Sequence, residues 1–157
     1  MRKRIISSDA RDNSPSDQQW LNLESLADVE VTSEDAAHPI ESALIPGAES
    51  SWRAEKPGEQ AIRLLFHEPQ SIKRVRLVFE EHDLARTQQF VLRWSSDSGK
   101  SYREIVRQQY NFSPPDTISE PEDYTVELAG LTALELSIVP DISGGTARAS
   151  LAQLRLG

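Results

Sequence analysis

The strongest constraint on how this chain folds is the recurrence of apolar residues at every second position. Val75, Leu77 and Phe79 follow this spacing, and Phe90 and Leu92 repeat it further along the chain. In an extended strand successive side chains point to opposite faces, so a period of two gives each strand one face to bury. The chain is therefore expected to form its core from half-buried β-strands.

Turn-forming residues divide this pattern into about eight segments. We predict strands over 29–32, 61–66, 72–79, 89–95, 102–107, 124–128, 134–139 and 151–156. Short strands with turns between them at regular spacing are typical of a sandwich or jelly roll. The predicted fold class is all-β, a β-sandwich jelly roll of about eight antiparallel strands, with no helix expected after residue 30.

The length of the chain favours a single domain. Its 157 residues suffice for one hydrophobic core. Residues 1–16 are polar and rich in turn formers, so we expect a flexible N-terminal arm there and one domain over 17–157. At the start of that domain, either Asp17 caps a short helix carrying Trp20 and Leu23, or the same stretch is an extended lead-in strand.

The charge of the chain argues against nucleic acid as a partner. The formal net charge is −8, whereas binding to a phosphate backbone requires neutralisation by Lys and Arg. Residues 61–110 hold more bases than acids. They form either an anion-facing patch or strands whose opposite charges meet their neighbours' charges.

The composition and the first residues favour a cytoplasmic location. The sequence contains no cysteine, which suits a reducing compartment and excludes disulfides and cysteine-based zinc sites. After the basic start only Ile5 and Ile6 are apolar, whereas a signal peptide needs a run of about 7–15 apolar residues. No apolar run approaches the ~20 residues of a membrane span, so no membrane partner is expected.

Several motifs follow one another in an order found in a known family. They are Pro39-Ile40-Glu41-Ser42-Ala43-Leu44, Trp52-Arg53-Ala54, the paired segments 61–66 and 72–77 around Pro69, the strand and turn over 90–99, and the closing segment 149–156. Together they resemble the discoidin-type (F5/8 type C-like), or galactose-binding-like, domain family over residues 28–157. The resemblance implies a jelly roll whose end loops bind sugars, lipids or proteins, because this fold hosts all three functions.

One departure from the family pattern concerns calcium. The family's aspartate after Ala-Leu is replaced by Ile45. Some sugar-binding members hold a structural calcium near that loop, and calcium needs oxygen ligands. This departure disfavours a structural calcium, although Glu49 and backbone carbonyls remain as oxygen donors for one. We therefore expect no cofactor and no metal site.

The first candidate ligand-binding residues are Trp52 and Arg53, in a segment rich in small polar residues over 47–51. Sugar sites commonly combine an aromatic face with planar polar groups. By analogy with the family this segment leads to the binding end of the sandwich. The alternative is that Trp52 packs under the loop as part of the core, which leaves Arg53 as the more exposed candidate.

The second candidate group is Glu81, Arg86 and Gln88, in the connection 80–89 between two predicted strands. Arginine and amide side chains can bind a hydroxylated or anionic ligand through paired hydrogen bonds. The alternative is a solvated loop in which Arg86 pairs with Glu81 or Asp83.

The third candidate group is Arg107, Tyr110 and Asn111, in a stretch that mixes aromatic residues with planar donors. Pro114 and Pro115 stiffen the chain after it. The stretch is interpreted either as a ligand or partner surface, or as a closure of the sandwich end by aromatic rings with Asn111 capping a turn.

Catalysis has little support in the sequence. It contains no Gly-rich phosphate loop, no paired-histidine metal spacing and no cysteine nucleophile. Glu80 and Glu81 are adjacent and would point to opposite faces of a strand. We therefore expect a non-catalytic binding module for a carbohydrate or other small polar ligand, or alternatively an intracellular protein-protein interaction module. The oligomeric state is not indicated by the sequence.

Overall fold

The computed structural model describes residues 20–47 and 50–157. The expected arm over 1–16, together with Asp17 and Glu49, lies outside the described residues. Two four-residue helices and eight strands follow in the order α1 (Leu23–Leu26), β1 (Ala27–Val31), α2 (Glu41–Leu44), β2 (Trp52–Pro57), β3 (Gln60–Glu80), β4 (Arg86–Ser95), β5 (Arg103–Phe112), β6 (Ser119–Val139), β7 (Arg148–Leu151) and β8 (Gln153–Leu156).

Two strands of 21 residues, β3 and β6, organise the fold. Residues 60–65 of β3 pair antiparallel with 133–138 of β6, and residues 72–80 of β3 pair with 119–128. The register shifts between these two halves, around Gln70 and Ile72. Irregularities of this kind bend a strand, so β3 and β6 each contribute one half to each layer of the sandwich.

The remaining strands extend these two layers. In the first layer the order is β1-β3-β6-β4-β5, and in the second β8 pairs with the later half of β3. Strands β2 and β7 form a separate antiparallel pair. The structure therefore confirms the predicted all-β sandwich of antiparallel strands.

The core consists of the side chains that face each other between the layers. Phe79 of the second layer and Phe90 of the first have ring centroids 5.0 Å apart. Val75 and Leu77 are buried on the same face as Phe79, and Leu92 is buried beside Phe90. Burial of such side chains contributes roughly 1.5–3 kcal/mol each, so the period-two faces predicted from the sequence supply the main stabilisation.

The strand boundaries differ from the prediction at several places. The segments 124–128 and 134–139, predicted as two strands, belong to the single strand β6, and the closing segment 151–156 is divided between β7 and β8. Residues 67–71 bend β3 and do not end it. Strand β5 continues to Phe112 because residues 109–112 keep the alternation, with Phe112 buried and the residue before it exposed. Residues 52–57, expected in a loop, form β2 because they pair with β7.

The helices differ from the prediction as well. Before α1 the chain is extended, and the Leu21 N–H donates to the Leu156 carbonyl across 2.7 Å. The side chain of Asn22 caps α1 by accepting from the N–H of Ser25. Helix α2 was not expected, and it buries Ala43 beneath the sandwich. No helix in residues 20–47 and 50–157 has the length and apolar character that a membrane span requires.

Candidate functional site

Two loops lie together at one end of the sandwich, which we call the loop end. One loop, 81–85, joins β3 to β4, and the other, 140–147, joins β6 to β7. The N–H of Ile142 donates to the carbonyl of Thr87 across 2.9 Å, so the second loop rests against the first residues of β4.

A buried ion pair lies beneath these loops. Arg86 Nε donates to Glu81 Oε1 across 2.7 Å, and the two side chains are 0% and 5% exposed. Arg86 Nη1 also donates to the Pro140 carbonyl at 2.8 Å and to Gln88 Oε1 at 3.2 Å. The guanidinium lies 4.8 Å from the ring centroid of Phe112. Arg86 therefore uses its hydrogen-bonding groups inside the protein.

Glu81 holds the first loop from below. Its Oε2 accepts hydrogen bonds from the N–H groups of Asp83 and Leu84, at 3.0 and 3.1 Å. Burial by itself raises the pKa of Glu81, but the hydrogen bonds from Arg86 and from these two backbone groups outweigh it and lower the pKa below its usual value. Glu81 is consequently an ionised partner that fixes both Arg86 and the loop 81–85.

A second buried carboxyl group completes the cluster. Gln88 is fully buried, and its Nε2 donates to Glu120 Oε1 at 3.3 Å. Glu120 is 1% exposed. Burial, and then the neighbouring carboxyl of Glu122, raise the pKa of Glu120 to about 9. At neutral pH the Glu120 carboxyl is therefore protonated, and the Arg86–Glu81 pair is the charged part of the cluster.

Two buried polar atoms of this cluster have no hydrogen-bond partner. They are Nη2 of Arg86 and Oε2 of Glu120. Unsatisfied buried polar atoms are uncommon in native proteins, because each costs roughly 1–3 kcal/mol. The cluster therefore retains a free donor on Arg86, and the unpaired Glu120 oxygen is the one that carries the carboxyl proton because Oε1 accepts from Gln88.

Tyr110 and Asn111 close the edge of the sandwich beside this cluster. The Tyr110 hydroxyl donates to the Ser119 carbonyl at 2.8 Å, and its ring packs edge-on against Phe112. Asn111 Oδ1 accepts from the Thr87 hydroxyl at 2.7 Å. The rings are placed as in the alternative in which aromatic residues close the sandwich end. The Asn111 side chain, expected there to cap a turn, instead bonds to its partner on β4, and Asn111 remains exposed.

Arg107 lies further along β5, opposite Val91. Its guanidinium pairs with Glu104 at 3.0 Å on the exposed surface. The structure therefore does not bring Arg107 into the cluster around Arg86.

Trp52 has no exposed surface. Its Nε1 donates to the Ser33 carbonyl at 3.1 Å, and the ring packs within the core. A ligand platform requires an accessible ring face, so this placement corresponds to the alternative in which Trp52 belongs to the core. Arg53 is half-buried, and its backbone bonds to Asp35 and His38.

Two exposed apolar side chains at the loop end were not predicted from the sequence. Among residues 20–47 and 50–157, Leu84 and Ile142 are the large hydrophobic side chains that are exposed, at 45% and 50%. Asp141 accepts from the N–H and hydroxyl of Ser143, and these bonds lower the Asp141 pKa and shape the turn that carries Ile142. Each of these two residues is a large apolar residue that stands alone in a loop between strands. Sequence patterns ordinarily give such a residue no functional role.

Two cavities lie away from the loop end. One, of about 450 Å³, is lined by Ile72, Lys73 and Leu128 near the bend of the long strands. The other, of about 330 Å³, lies between α1 and α2 and is lined by Leu23, Leu44 and their neighbours. Neither includes a residue of the buried cluster.

The fold of this chain is similar to that of several solved structures. No family model matches the chain, and no curated protein matches it. The structure is similar to the family 32 carbohydrate-binding module (CBM32) of AlyQ in complex with 4,5-unsaturated mannuronic acid, with a TM-score of 0.61 and 15% identity over 85% of this chain and 95% of that module.

Two further solved structures give the same result. The family 32 module of NanJ from C. perfringens, in complex with galactose, has a TM-score of 0.62 and 9% identity over 87% of this chain and 96% of that module. Chitosan-binding module 1 of a chitosanase/glucanase from Paenibacillus sp. IK-5 has a TM-score of 0.59 and 18% identity over 87% of this chain and 98% of that module. The chain thus shares its fold, a galactose-binding-like β-sandwich, with these modules.

Proposed function

We propose that this protein is a non-catalytic carbohydrate-binding module. The observation that carries the proposal is the structural similarity to single modules that bind sugars, which extends over more than nine-tenths of their length. The buried cluster adds support of a second kind. The hydrogen bonds of the Arg86–Glu81 pair hold the two loops in place. A buried ion pair that fixes loops in this way fits a binding module.

We place the ligand at the loop end. Leu84 and Ile142 offer an apolar surface for the carbon-bound face of a sugar ring, and the exposed side chains of His82, Asp83 and Ser143 offer hydrogen-bonding groups beside it. The loops are held by the buried ion pair before any ligand arrives. Such preorganisation reduces the entropy that binding must overcome.

Five of the eight residues proposed from the sequence have one of two roles in this proposal. Glu81, Arg86 and Gln88 support the loops from within, because their side chains are buried. Arg53 and Asn111 keep accessible surface and remain candidates for direct contact.

A second candidate function is protein-protein interaction. The observation that favours it is the aliphatic nature of the exposed pair, since Leu84 and Ile142 supply apolar area without the aromatic ring that many sugar sites use. Under this alternative the same loop end contacts an apolar patch on a partner protein.

Glycan-array screening followed by calorimetric titration tests the main proposal. We expect binding to at least one glycan class, and a loss of about tenfold or more in affinity for Leu84→Asp and for Ile142→Asp. Ala129→Asp is the matched control, because Ala129 is also an exposed apolar residue but lines the cavity near the strand bend. Absence of binding across glycan classes, with the protein folded, would contradict the carbohydrate proposal and leave the protein-interaction alternative.

A further inference from the structure

The buried cluster at the loop end connects both loops to a single guanidinium. On one side Arg86 bonds to Glu81, whose other oxygen accepts the N–H groups of Asp83 and Leu84. On the other side Arg86 bonds to the Pro140 carbonyl at the start of the second loop. Displacement of Arg86 would therefore release both loops together.

Glu120 belongs to the same network through Gln88. The Gln88 amide accepts from Arg86 Nη1 with its oxygen and donates to Glu120 Oε1 with its nitrogen. Arg86 Nη2 and Glu120 Oε2 are the two buried atoms of this network that lack a partner. A free donor on a cation and the oxygen that carries the carboxyl proton thus lie on either side of one amide, and that oxygen becomes a free acceptor once Glu120 ionises.

The charge on Glu120 decides how these free atoms interact. When Glu120 is protonated, the only buried charges in the cluster are Arg86 and Glu81, and they neutralise each other. When Glu120 ionises, a second carboxylate is buried near one guanidinium, and isolated buried charge is strongly unfavourable. The carboxylate then competes with Glu81 and with the Pro140 carbonyl for the donors of Arg86.

We propose that Arg86 is a positioning residue that clasps the two loops of the loop end into one unit, and that a proton on Glu120 keeps this clasp closed. Loss of that proton draws the guanidinium toward Glu120, breaks the Arg86–Pro140 bond and frees the loop that carries Ile142. Only the consequence for ligand affinity rests on the proposed carbohydrate function. The coupling between the proton and the loops stands without it.

The other groups that face Glu120 support this assignment. On the same face of β6, Glu122 is the neighbouring carboxyl, and the Tyr124 hydroxyl donates to its Oε1 at 2.6 Å. Burial, and then Glu122, raise the pKa of Tyr124, so that hydroxyl keeps its proton as Glu120 titrates. Tyr110 of β5 is engaged with the Ser119 carbonyl. The carboxylate of Glu122 therefore opposes the ionisation of Glu120, and the Arg86 guanidinium favours it.

Methyl NMR spectroscopy tests the proposal on the intact chain. Leucine and isoleucine methyl groups are isotope-labelled, and the signals of Leu84 and Ile142 are followed from about pH 6 to about pH 10.5. We expect both signals to shift together with one alkaline midpoint, since both loops depend on the same clasp. Methyl signals suit this range because, unlike amide signals, they do not broaden by exchange with water.

Glu120→Gln provides the decisive variant. Glutamine has the shape of the protonated acid, keeps an oxygen for Gln88 and cannot ionise, so the shared transition should disappear while the fold is retained. Glu127→Gln, an exposed substitution on the same strand, is the matched control and should keep the transition. A transition that persists unchanged in Glu120→Gln, or methyl signals that do not titrate in the native chain, would overturn the proposal.

Titration with the glycan identified by array screening separates the two proposals. If a glycan binds, we expect its affinity to fall about tenfold across the same transition, and to stay constant in Glu120→Gln. If no glycan binds but the coupled methyl transition is present, the clasp is supported and the carbohydrate function fails. If a glycan binds with no methyl transition, the function is supported and the clasp fails.

Discussion

Nη1 of Arg86 donates to the carbonyl of Pro140 across 2.8 Å, which ties the first residue of β4 to the loop that follows β6. The two residues are 54 positions apart in the chain. The contact joins the ends of two neighbouring strands of the first layer, and it fixes the loops without using any exposed group.

Removal of the Arg86 side chain should destabilise the protein strongly. Arg86→Met leaves Glu81 as a buried carboxylate without its cation, which typically costs about 3–5 kcal/mol. Urea unfolding followed by circular dichroism measures the loss. Arg76→Met is the matched control, because Arg76 forms an exposed pair with Asp123 that is worth about 0–1 kcal/mol. Equal losses in the two variants would contradict the structural role of Arg86.

The stability of the protein should fall as the pH rises above neutrality. The pKa of Glu120 is about 9 in the folded protein, above its ordinary value of 4.5, which applies when the chain is unfolded. Between these values the folded state binds more protons, so its stabilisation is complete below the lower value and is lost as the pH approaches the higher one. Urea midpoints at several pH values measure this slope. Glu120→Gln should flatten it, and an unchanged slope would contradict the assignment.

Trp52 should report on the core and should not respond to a ligand. Because its ring is fully buried, acrylamide and iodide should quench its fluorescence weakly. Trp52→Phe should lower stability by about 1–3 kcal/mol, since it removes the bond to the Ser33 carbonyl and leaves a small void. Quenching measurements use a Trp20→Phe, Trp94→Phe background so that Trp52 alone emits. Strong quenching by iodide in that background would show that the ring is accessible.

Calcium should be dispensable for stability and for glycan binding. In the discoidin-type pattern that this sequence resembles, an aspartate follows Ala-Leu, and here Ile45 stands at that position. An isoleucine side chain offers no oxygen to a hard cation. Thermal melts with excess chelator and with added calcium should therefore superimpose. A rise of several degrees with calcium would point to ligation by other oxygens and would contradict this prediction.

The sequence was sufficient to predict most of the strands because the core faces are nearly continuous. Val75, Leu77 and Phe79 needed only a period of two to be assigned to one buried face, and the structure places them so. The continuity of β3 through residues 67–71 was missed because Pro69 and its polar neighbours have the composition of a turn, whereas the pairing of Gln70 with Leu131 of β6 is a tertiary effect.

The buried polar cluster was harder to predict, although part of its signal was present. Gln88 and Arg86 continue the face of Phe90 backwards at every second position, which places them inward. Polar residues are usually assigned to the surface, since their burial depends on partners far away in sequence. Glu120 and the Pro140 carbonyl are such partners, and no local pattern relates them to Arg86.

The continuity of β3 and β6 through both layers has a consequence for unfolding. Both strands belong to both layers. One layer therefore cannot separate from the other without breaking hydrogen-bonded pairs on both sides of the bend. The two layers of the sandwich are therefore not independent units that could unfold one at a time. Heat and denaturant should therefore melt it in a single cooperative step, and a fragment carrying only one layer should remain unstructured.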